Sequence, residues 1–560
     1  MRRHTGACAA LATLLLSPLA AAQVQLVTAG QIITADRAQP VVQAMAIDQR
    51  SGRLLATGNR EQLQARYPQA SAIDLAGATI VPGLIDAHAH LVNLGHMLSE
   101  ANLWGVTSKA EVMARLQQAE AQLAPGQWLI GRGWDQNLWP EKAFPTAADL
   151  DAAFPQRPVY LERVDGHAGW VNSAALRIAE ENGPSLAGDW QPEGGRIERD
   201  AAGAPNGVLV DAAAALVTAH IPAHTAQELD LRLQRALQAA VANGLTGVHD
   251  MGVSRDELAR FARFADAGTL PLRVDAYAAG DGDALADLCA KGLYRHGGGR
   301  LQMRGVKLFV DGALGSRGAA MLAPYSDDPH NHGLLMLSPE QHLALSRKAA
   351  GCGVQVASHA IGDRGNRVVL DNYQAVLGEH PDADLRWRVE HAQVLAAQDI
   401  GRFAALGVIA SMQPTHATSD MGWAQDRVGP ERIKGAYAWQ DLAASGAHLA
   451  LGSDFPVEQV DPRLGLQAAV TRQDAQGLPA GGWYAQQRLS AEQALLGFTA
   501  GAAYAGFGEL EVGALRQGLR ADFVVLDGNP LQLPGNQLSQ LKVLSTWVDG
   551  KPVYQADAAR

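Results

Sequence analysis

The sequence predicts an α/β protein built around a (β/α)8 TIM barrel, and two observations lead to this fold class. Stretches with helical spacing alternate with short apolar runs, and each run ends in a polar or ionisable residue. Such alternation is typical of a barrel whose site lies at the carboxyl ends of its strands, with a doubly wound sheet as the structural alternative. The eight candidate strands are "VPGLIDAHAH" (81–90), "GLTGVHDMG" (244–252), "LRVDAYAAG" (272–280), "GVKLFVDGALGSR" (305–317), "GVQVASHAIGD" (353–363), "RWRVEHAQ" (386–393), "GVIASMQPTH" (407–416) and "HLALGSDFPV" (448–457).

The chain on either side of the barrel strands predicts two further parts. Residues 23–80 and 505–560 alternate apolar and polar residues between Gly or Asp turns, so we expect both termini to form one small β-sandwich. The barrel domain then covers 81–504. Its first two strands are too far apart for one helix, and we expect an inserted subdomain at about 105–240, over the barrel mouth.

The N-terminus, "MRRHTGACAALATLLLSPLAAAQ", is typical of a secretory signal peptide over residues 1–22. Two arginines precede a short apolar stretch, and small residues precede Gln23. An uncleaved membrane anchor is the alternative, but the stretch is short for a span and Pro18 interrupts it. We therefore expect an exported protein, periplasmic or secreted.

Composition limits the partners of the mature chain. In the full sequence acidic residues outnumber basic ones, 57 to 46, and loss of Arg2 and Arg3 with the signal peptide increases this excess, which disfavours nucleic acid. No later segment is apolar enough for stable membrane insertion. We expect a small neutral or cationic substrate, and a homodimer is compatible with the sequence. Two cysteines, Cys289 and Cys352, follow the signal peptide, and both a disulfide and two free thiols stay open.

Two histidines at the end of the first strand are candidate metal ligands. His88 and His90 lie two residues apart, so they project from one face of a strand, and imidazole is a preferred ligand of zinc. An isolated pair of this kind is weak evidence. The same strand-end position recurs on four other strands, at Lys307, His359, His391 and Asp454.

These four residue types are costly inside an apolar barrel unless they are paired or coordinated. Each has an ordinary alternative: a histidine can be hydrogen-bonded in the core, Lys307 can pair with Asp311, and Asp454 can cap a helix. Their joint placement on strands four, five, six and eight, opposite the histidines of strand one, predicts a metal site. The sequence also has neither a GxSxG elbow nor a Walker phosphate loop, which disfavours a serine hydrolase.

The motifs "GLIDAHAHL", "KLFVDGALGSR", "SHAIGD", "EHAQ" and "GSDFPV" resemble those of the amidohydrolase superfamily. "GRGWDQNLWP", "DGHAGWVNSAAL" and "VKLFVDGALGSRGAAM" resemble the branch that holds N-substituted formamide deformylase-like proteins. The resemblance covers nearly the whole mature chain.

This resemblance implies a centre for two divalent metals, zinc first, with manganese, cobalt or iron as alternatives. Its implied ligands are His88, His90 and Asp454 for one ion and His359 and His391 for the other, with an N6-carboxylated Lys307 as the bridge. Without that modification a mononuclear site is the expectation.

The resemblance also implies the reaction. Two such ions acidify a water and polarise a carbonyl, while Asp454 acts as general base and then general acid in the hydrolysis of an amide C–N bond. An ester or lactone hydrolase with the same site and a catalytically silent binding or regulatory protein of the same fold stay open.

The remaining candidates concern the substrate. Tryptophans concentrate in the insertion, and Trp134, Trp139 and Trp170 are candidate walls of a pocket for an apolar group, with a core of the insertion as the equal alternative. Three histidines are further candidates for substrate contact, with turn or structural roles as alternatives: His167, His249 and His416.

Overall fold

The computed structural model describes residues 24–163 and 166–557, so the predicted signal peptide, residues 1–22, lies outside the described residues. Its centre is a barrel of eight parallel strands in sequential order, which confirms the predicted fold class. Each barrel strand falls within or overlaps one of the eight candidate runs. In order, barrel strands 1 to 8 are Leu84–Ala89, Leu245–Val253, Arg273–Ala279, Leu301–Phe309, Gln355–Ala360, Arg388–His391, Ile409–Met412 and Leu449–Leu451.

Barrel strands 8 and 1 meet just beyond the end of strand 8. The backbone N–H of Asp454 donates to the carbonyl of His88 at 2.7 Å, and that of His90 donates to the carbonyl of Phe455 at 2.9 Å. Gly452 permits this close approach, because a Cβ there would lie 2.5 Å from Asp86 Oδ1. The chain after strand 8 is therefore held against strand 1.

The strands are buried by an outer layer of helices, and the shared core is aliphatic with several aromatic residues. Five of these helices begin with a side chain that accepts a backbone N–H of the first turn, as Ser338 does from Gln341. The helices that follow strand 1 and precede strand 2 are Leu91–Met97 and Ala226–Ala242. Those between later strands are Arg255–Asp266, Asp283–Lys291, Pro339–Gly351, Asp363–Glu379, Ala397–Leu406, Pro414–Asp420, Ala424–Arg432 and Trp439–Ala444, and Pro462–Thr471, Ala491–Leu496 and Ala502–Ala505 follow strand 8.

Both termini contribute to one seven-stranded sheet outside the barrel. The sheet curls around a cluster that includes Leu54 from one edge and Trp547 from near the other, with Phe523 stacked on Trp547 at 5.1 Å. A short helix, Arg60–Arg66, covers part of the other face. The strands, from edge to edge, are Lys551–Gln555, Val543–Val548, Phe523–Leu526, Ser71–Pro82, Val24–Ile33, Val41–Asp48 and Arg53–Gly58.

The insertion after barrel strand 1 forms its own six-stranded sheet with helices. Helix Ala226–Ala242 contributes Leu233 and Leu237 to the barrel core, so the insertion ends before it rather than at about 240. The six strands are Gly195–Arg199, Pro205–Asp211, Ala168–Val171, Val159–Arg163, Leu129–Trp134 and Ala101–Asn102, and the helices are Lys109–Glu120, Ala147–Asp151, Ser173–Asn182 and Ala215–Thr218.

Cys289 and Cys352 form a disulfide, which resolves the alternative left open by the sequence. Cys289 belongs to helix Asp283–Lys291 and Cys352 ends helix Pro339–Gly351, so the bond joins the outer helices on either side of barrel strand 4. Within the described ranges, no helix combines the length and apolar character needed to cross a membrane.

Candidate metal centre

The candidate ligands converge at the carboxyl end of the barrel. Single donor atoms of His88, His391 and Asp454 all lie within 4.8 Å of one another. The His391 ring lies 4.8 Å from the His88 ring and 4.6 Å from the His359 ring, centroid to centroid. His90 Nε2 lies 3.2 Å from Asp454 Oδ1. Residues from strands 1, 5, 6 and 8 thus surround one small volume.

Lys307 lies within the same volume. Its Nζ is 3.1 Å from His88 Nε2, and the side chain is buried on barrel strand 4. No carboxylate oxygen of Asp311 pairs with it; Asp311 instead accepts the backbone N–H groups of Ala320, Ile361 and Gly362. The lysine amine therefore faces the histidines rather than a counter-ion in the adjoining loop.

Two of the candidate ligands have strained backbones. His391 has φ +74° and Asp454 has φ +63°, in the left-handed region that residues with a Cβ seldom adopt. Strain of this kind clusters at functional sites, where the surrounding structure holds it. Here it turns both side chains to the centre at points where their strands have ended.

Three of the histidines use Nδ1 for a protein partner. His88 Nδ1 lies 2.5 Å from Glu390 Oε2, His90 Nδ1 lies 2.8 Å from the Met251 carbonyl, and His391 Nδ1 lies 2.8 Å from Gln413 Oε1. All three partners are acceptors, so each imidazole carries its proton on Nδ1 and directs the Nε2 lone pair inward. Metal-binding histidines are oriented in this way by their outer partners.

The ionisation states suit cation binding. Burial, together with Lys307, lowers the pKa of His88 to about 4 and that of His359 to about 3, and burial holds the pKa of His391 well below its usual value. Burial opposes ionisation of Asp454, yet the neighbouring imidazoles of His88 and His90 outweigh it and lower its pKa. Neutral imidazoles and an ionised carboxylate are the forms that ligate metals.

Several buried atoms at the centre have no hydrogen-bond partner among the described residues. They are His359 Nε2, Asp454 Oδ1 and His416 Nε2. Buried polar atoms are normally satisfied, so these three call for a further group between them. Nitrogen and carboxylate donors of this kind fit zinc or a similar divalent ion, and the residues present therefore fit the implied metal.

A buried ion pair supports His88 from inside the barrel. Both Arg388 and Glu390 have no exposed surface, and Arg388 Nε donates to Glu390 Oε1 at 2.7 Å. Arg388 also donates to the carbonyl of Ala87 at 2.6 Å and to Ser411 Oγ at 2.7 Å. Burial raises the pKa of Glu390, but Arg388 and His88 more than offset this and hold the carboxylate ionised. The pair thus fixes His88 against three strands.

Asp86 links the first ligand pair to Asp454. Its Oδ1 accepts the backbone N–H groups of His88 and Ser453, each at 3.0 Å, and its Oδ2 accepts the Ser453 hydroxyl at 2.6 Å. These bonds hold the strand that carries His88 against the loop that carries Asp454.

Two of the further histidine candidates lie on the barrel. His416 lies on helix Pro414–Asp420 after strand 7, with Nε2 3.7 Å from Asp454 Oδ2 and its ring stacked on that of His391. Its role in substrate contact stays a prediction. His249 is buried, accepts a hydrogen bond from Arg388 at 2.7 Å and lies 3.3 Å from Asp275. Its role in substrate contact also stays a prediction.

The third, His167, lies on the insertion with its Nδ1 2.8 Å from Asp211 Oδ1. Its side chain is 74% exposed. A role of His167 in substrate contact stays a prediction.

Of the two roles that the sequence left open for the tryptophans, pocket wall or core of the insertion, the structure shows the core. Trp134, Trp139 and Trp170 are almost completely buried and pack on one another with centroids about 6 Å apart, in a core whose residues all come from the insertion. The Trp134 indole donates to the Leu161 carbonyl and that of Trp170 to the Thr146 carbonyl. The Trp139 Nε1 has no hydrogen-bond partner among the described residues. The three buried indoles form a core of the insertion, and this corrects the substrate-binding assignment of Trp134 and Trp170.

Sequence reasoning missed Arg388 and Glu390, although a signal was present. They lie two residues apart on an apolar strand, "RWRVEHAQ", and therefore share its inward face. Two opposite charges at alternate positions of a buried strand predict a buried pair next to the ligand His391.

Comparisons with known proteins show the family of the chain. A model of the amidohydrolase family matches residues 71–554. Protein LONG AFTER FAR-RED 3 of Arabidopsis thaliana is 36% identical over 94% of this chain and 91% of its own. N-substituted formamide deformylase of Arthrobacter pascens is 28% identical over 93% of this chain and 96% of its own.

A crystal structure of an uncharacterized metal-dependent hydrolase from Pyrococcus horikoshii superposes with a TM-score of 0.75 and 29% identity, over 91% of this chain and 99% of that one. The barrel and its donor set are those of a metal-dependent hydrolase. The chain belongs to the amidohydrolase family, whose members act on small molecules.

Proposed function

We propose that the protein is an exported amidohydrolase that cleaves the C–N bond of a small amide with an apolar substituent. The observation that carries the proposal is the convergence of neutral imidazoles, a buried lysine and an ionised aspartate at the carboxyl end of the barrel. The similarity to an N-substituted formamide deformylase supports a C–N bond as the one that is cleaved.

His88, His90, His359, His391 and Asp454 would hold the divalent ions, with zinc as the first choice. Ions bound there supply an acidified water and polarise the substrate carbonyl. Asp454 is ionised and has an oxygen without a partner, so it can take a proton from water at Oδ1. The same oxygen then returns that proton to the leaving nitrogen.

Lys307 is proposed to act as a carboxylated bridge between the two ions. Burial lowers the pKa of its ammonium to about 8, which makes the neutral amine accessible near neutral pH. The neutral nitrogen bonds to the carbon of carbon dioxide and loses one proton, which gives a carbamate with two ligand oxygens.

Export is the third part of the proposal. The N-terminal pattern over residues 1–22 supports it, and so does the Cys289–Cys352 disulfide, since such bonds persist chiefly in oxidising compartments.

Metal removal is the direct test of the proposed chemistry. Purified protein should lose hydrolysis of an aryl formamide after chelation and regain it with zinc, manganese or cobalt. Asp454→Asn should reduce kcat by about a hundredfold or more, because the variant has lost the proton acceptor. The matched control is Asp363→Asn, since Asp363 is also buried but accepts the Leu322 N–H away from the ligands. Full turnover by metal-free protein would contradict the proposal.

A further inference from the structure

A cavity of about 370 Å³ adjoins the metal centre on the side of barrel strands 1 to 4. His90 belongs both to its wall and to the candidate ligands. Its wall includes His90, Asp250, Val253, Glu257, Ala279 and Phe309.

Phe309 connects this cavity to His359, a candidate ligand of the second ion. It ends barrel strand 4, its ring lies 5.5 Å from that of His359, and the Lys307 Nζ lies 4.8 Å from its centroid. The side chain is 43% exposed, although a phenyl ring is better buried. Together with Val253 and Ala279 it gives the cavity an apolar surface. A ligand with an apolar group beside the reacting bond would cover that surface.

Asp250 has an unused acceptor. The side chain is 2% exposed; its Oδ1 accepts the backbone N–H of Leu91 at 3.0 Å, and its Oδ2 has no partner among the described residues. A buried oxygen without a donor is costly, and a polar hydrogen of a bound molecule would satisfy it.

We propose that this cavity is the substrate site and that Asp250 accepts the N–H of a neutral secondary amide whose apolar substituent packs on Phe309. The inference rests on the proposed function for the reaction that is catalysed. It adds how the substrate is recognised, and binding measurements test recognition separately from turnover.

The test uses formanilide and its N-methyl derivative, which lacks the N–H. For the metal-loaded wild type, kcat/KM should favour formanilide. Asp250→Asn keeps the acceptor for Leu91 but replaces the unpartnered Oδ2 by an NH2 donor. This variant should reduce the preference for formanilide over the N-methyl compound by about tenfold, chiefly through KM. Asp363→Asn should preserve the preference.

A folded Asp250→Asn enzyme with unchanged preferences overturns the inference. If no amide is turned over by metal-loaded protein, the proposed function fails, and calorimetric Kd values for formanilide and its N-methyl derivative decide the inference instead. A preference in Kd that Asp250→Asn removes supports the cavity as a recognition site. Equal Kd values, or no binding of either amide, overturn it.

Discussion

Glu390 determines which nitrogen of His88 faces the centre. Its carboxylate lies 2.5 Å from His88 Nδ1 and is itself held by Arg388. An ionised carboxylate only accepts, so the imidazole proton stays on Nδ1 and the Nε2 lone pair stays free for a cation. Glu390 is thus a positioning residue that acts through His88.

Glu390→Gln should weaken metal binding by about 10- to 100-fold, because the amide holds the tautomer of His88 less firmly and leaves Arg388 without its counter-ion. Competition with a chromophoric chelator measures the affinity of the folded protein. Glu379→Gln is the matched control, since it breaks an Arg–Glu pair on the surface, with Arg347. Equal affinities for the two variants would show that Glu390 has only a structural role.

The ligand candidates could be identified from the sequence because their residue types are costly in an apolar strand. His359, His391 and Asp454 stood out for that reason, and His88 through its spacing from His90. The structure brings these side chains together. The partners that orient them could not be identified in the same way. Gln413 and the Met251 carbonyl acquire their roles only from the register of neighbouring strands, and that register depends on the closed barrel.

At the scale of elements, His342 connects helix Pro339–Gly351 to its neighbours. Its Nε2 lies 2.8 Å from Ser358 Oγ on barrel strand 5, and its Nδ1 lies 3.0 Å from Asn372 Nδ2 on helix Asp363–Glu379. Burial lowers the pKa of this histidine from 6.5 to about 4. The folded protein therefore holds it neutral at pH values where the unfolded chain binds a proton.

The sign of the resulting pH dependence follows from linkage. Above pH 6.5 both states are neutral at His342; between pH 6.5 and 4 only the unfolded state is protonated, so stability falls as the pH falls. The loss approaches about 3 kcal/mol by pH 4. His342→Gln removes this contribution, so its urea midpoint should decline less steeply between pH 7 and 4.5. Parallel declines for the two proteins would contradict the assignment.

The elements also show why the tryptophan assignment failed. Composition placed Trp134 and Trp170 in the insertion, but an aromatic residue serves a core and a pocket equally well. Which of the two forms depends on whether the insertion has a core of its own, and its six-stranded sheet provides one. The apolar surface beside the centre comes instead from Phe309, at the end of a barrel strand.

At the scale of the whole molecule, distant parts of the chain are joined around the barrel. Asp549, near the C-terminus, pairs with Arg273 at the start of barrel strand 3 and with Arg300, just before strand 4. The terminal sheet is thereby fixed to the end of the barrel opposite the metal centre. Alternating sequence patterns predicted one β-structure made by both termini, whereas the long-range pairs that fix it to the barrel are contained in no local pattern.

The disulfide is the covalent counterpart of these long-range pairs. Cys289 and Cys352 are 63 residues apart, and the loop that they close contains barrel strand 4 with Lys307. Closing a loop of that length restricts the unfolded chain by about 4 kcal/mol in the chain-entropy model. The bond forms only where thiols are oxidised, so its contribution to stability depends on the compartment.

If the protein is exported, its mature form should begin at or near Gln23 and should contain the Cys289–Cys352 bond. N-terminal sequencing and alkylation of the periplasmic or secreted fraction, followed by mass spectrometry, measure both. The double variant Cys289→Ser, Cys352→Ser should have a lower Tm than the oxidised wild type and the same Tm as the reduced wild type, because it lacks only the crosslink. Intact Met1 together with alkylated Cys289 and Cys352 on cytosolic protein would contradict export. An exported protein that begins near Gln23 but has free thiols would agree with the predicted signal peptide. It would contradict the Cys289–Cys352 bond, because both cysteines would then stay unpaired in an oxidising compartment.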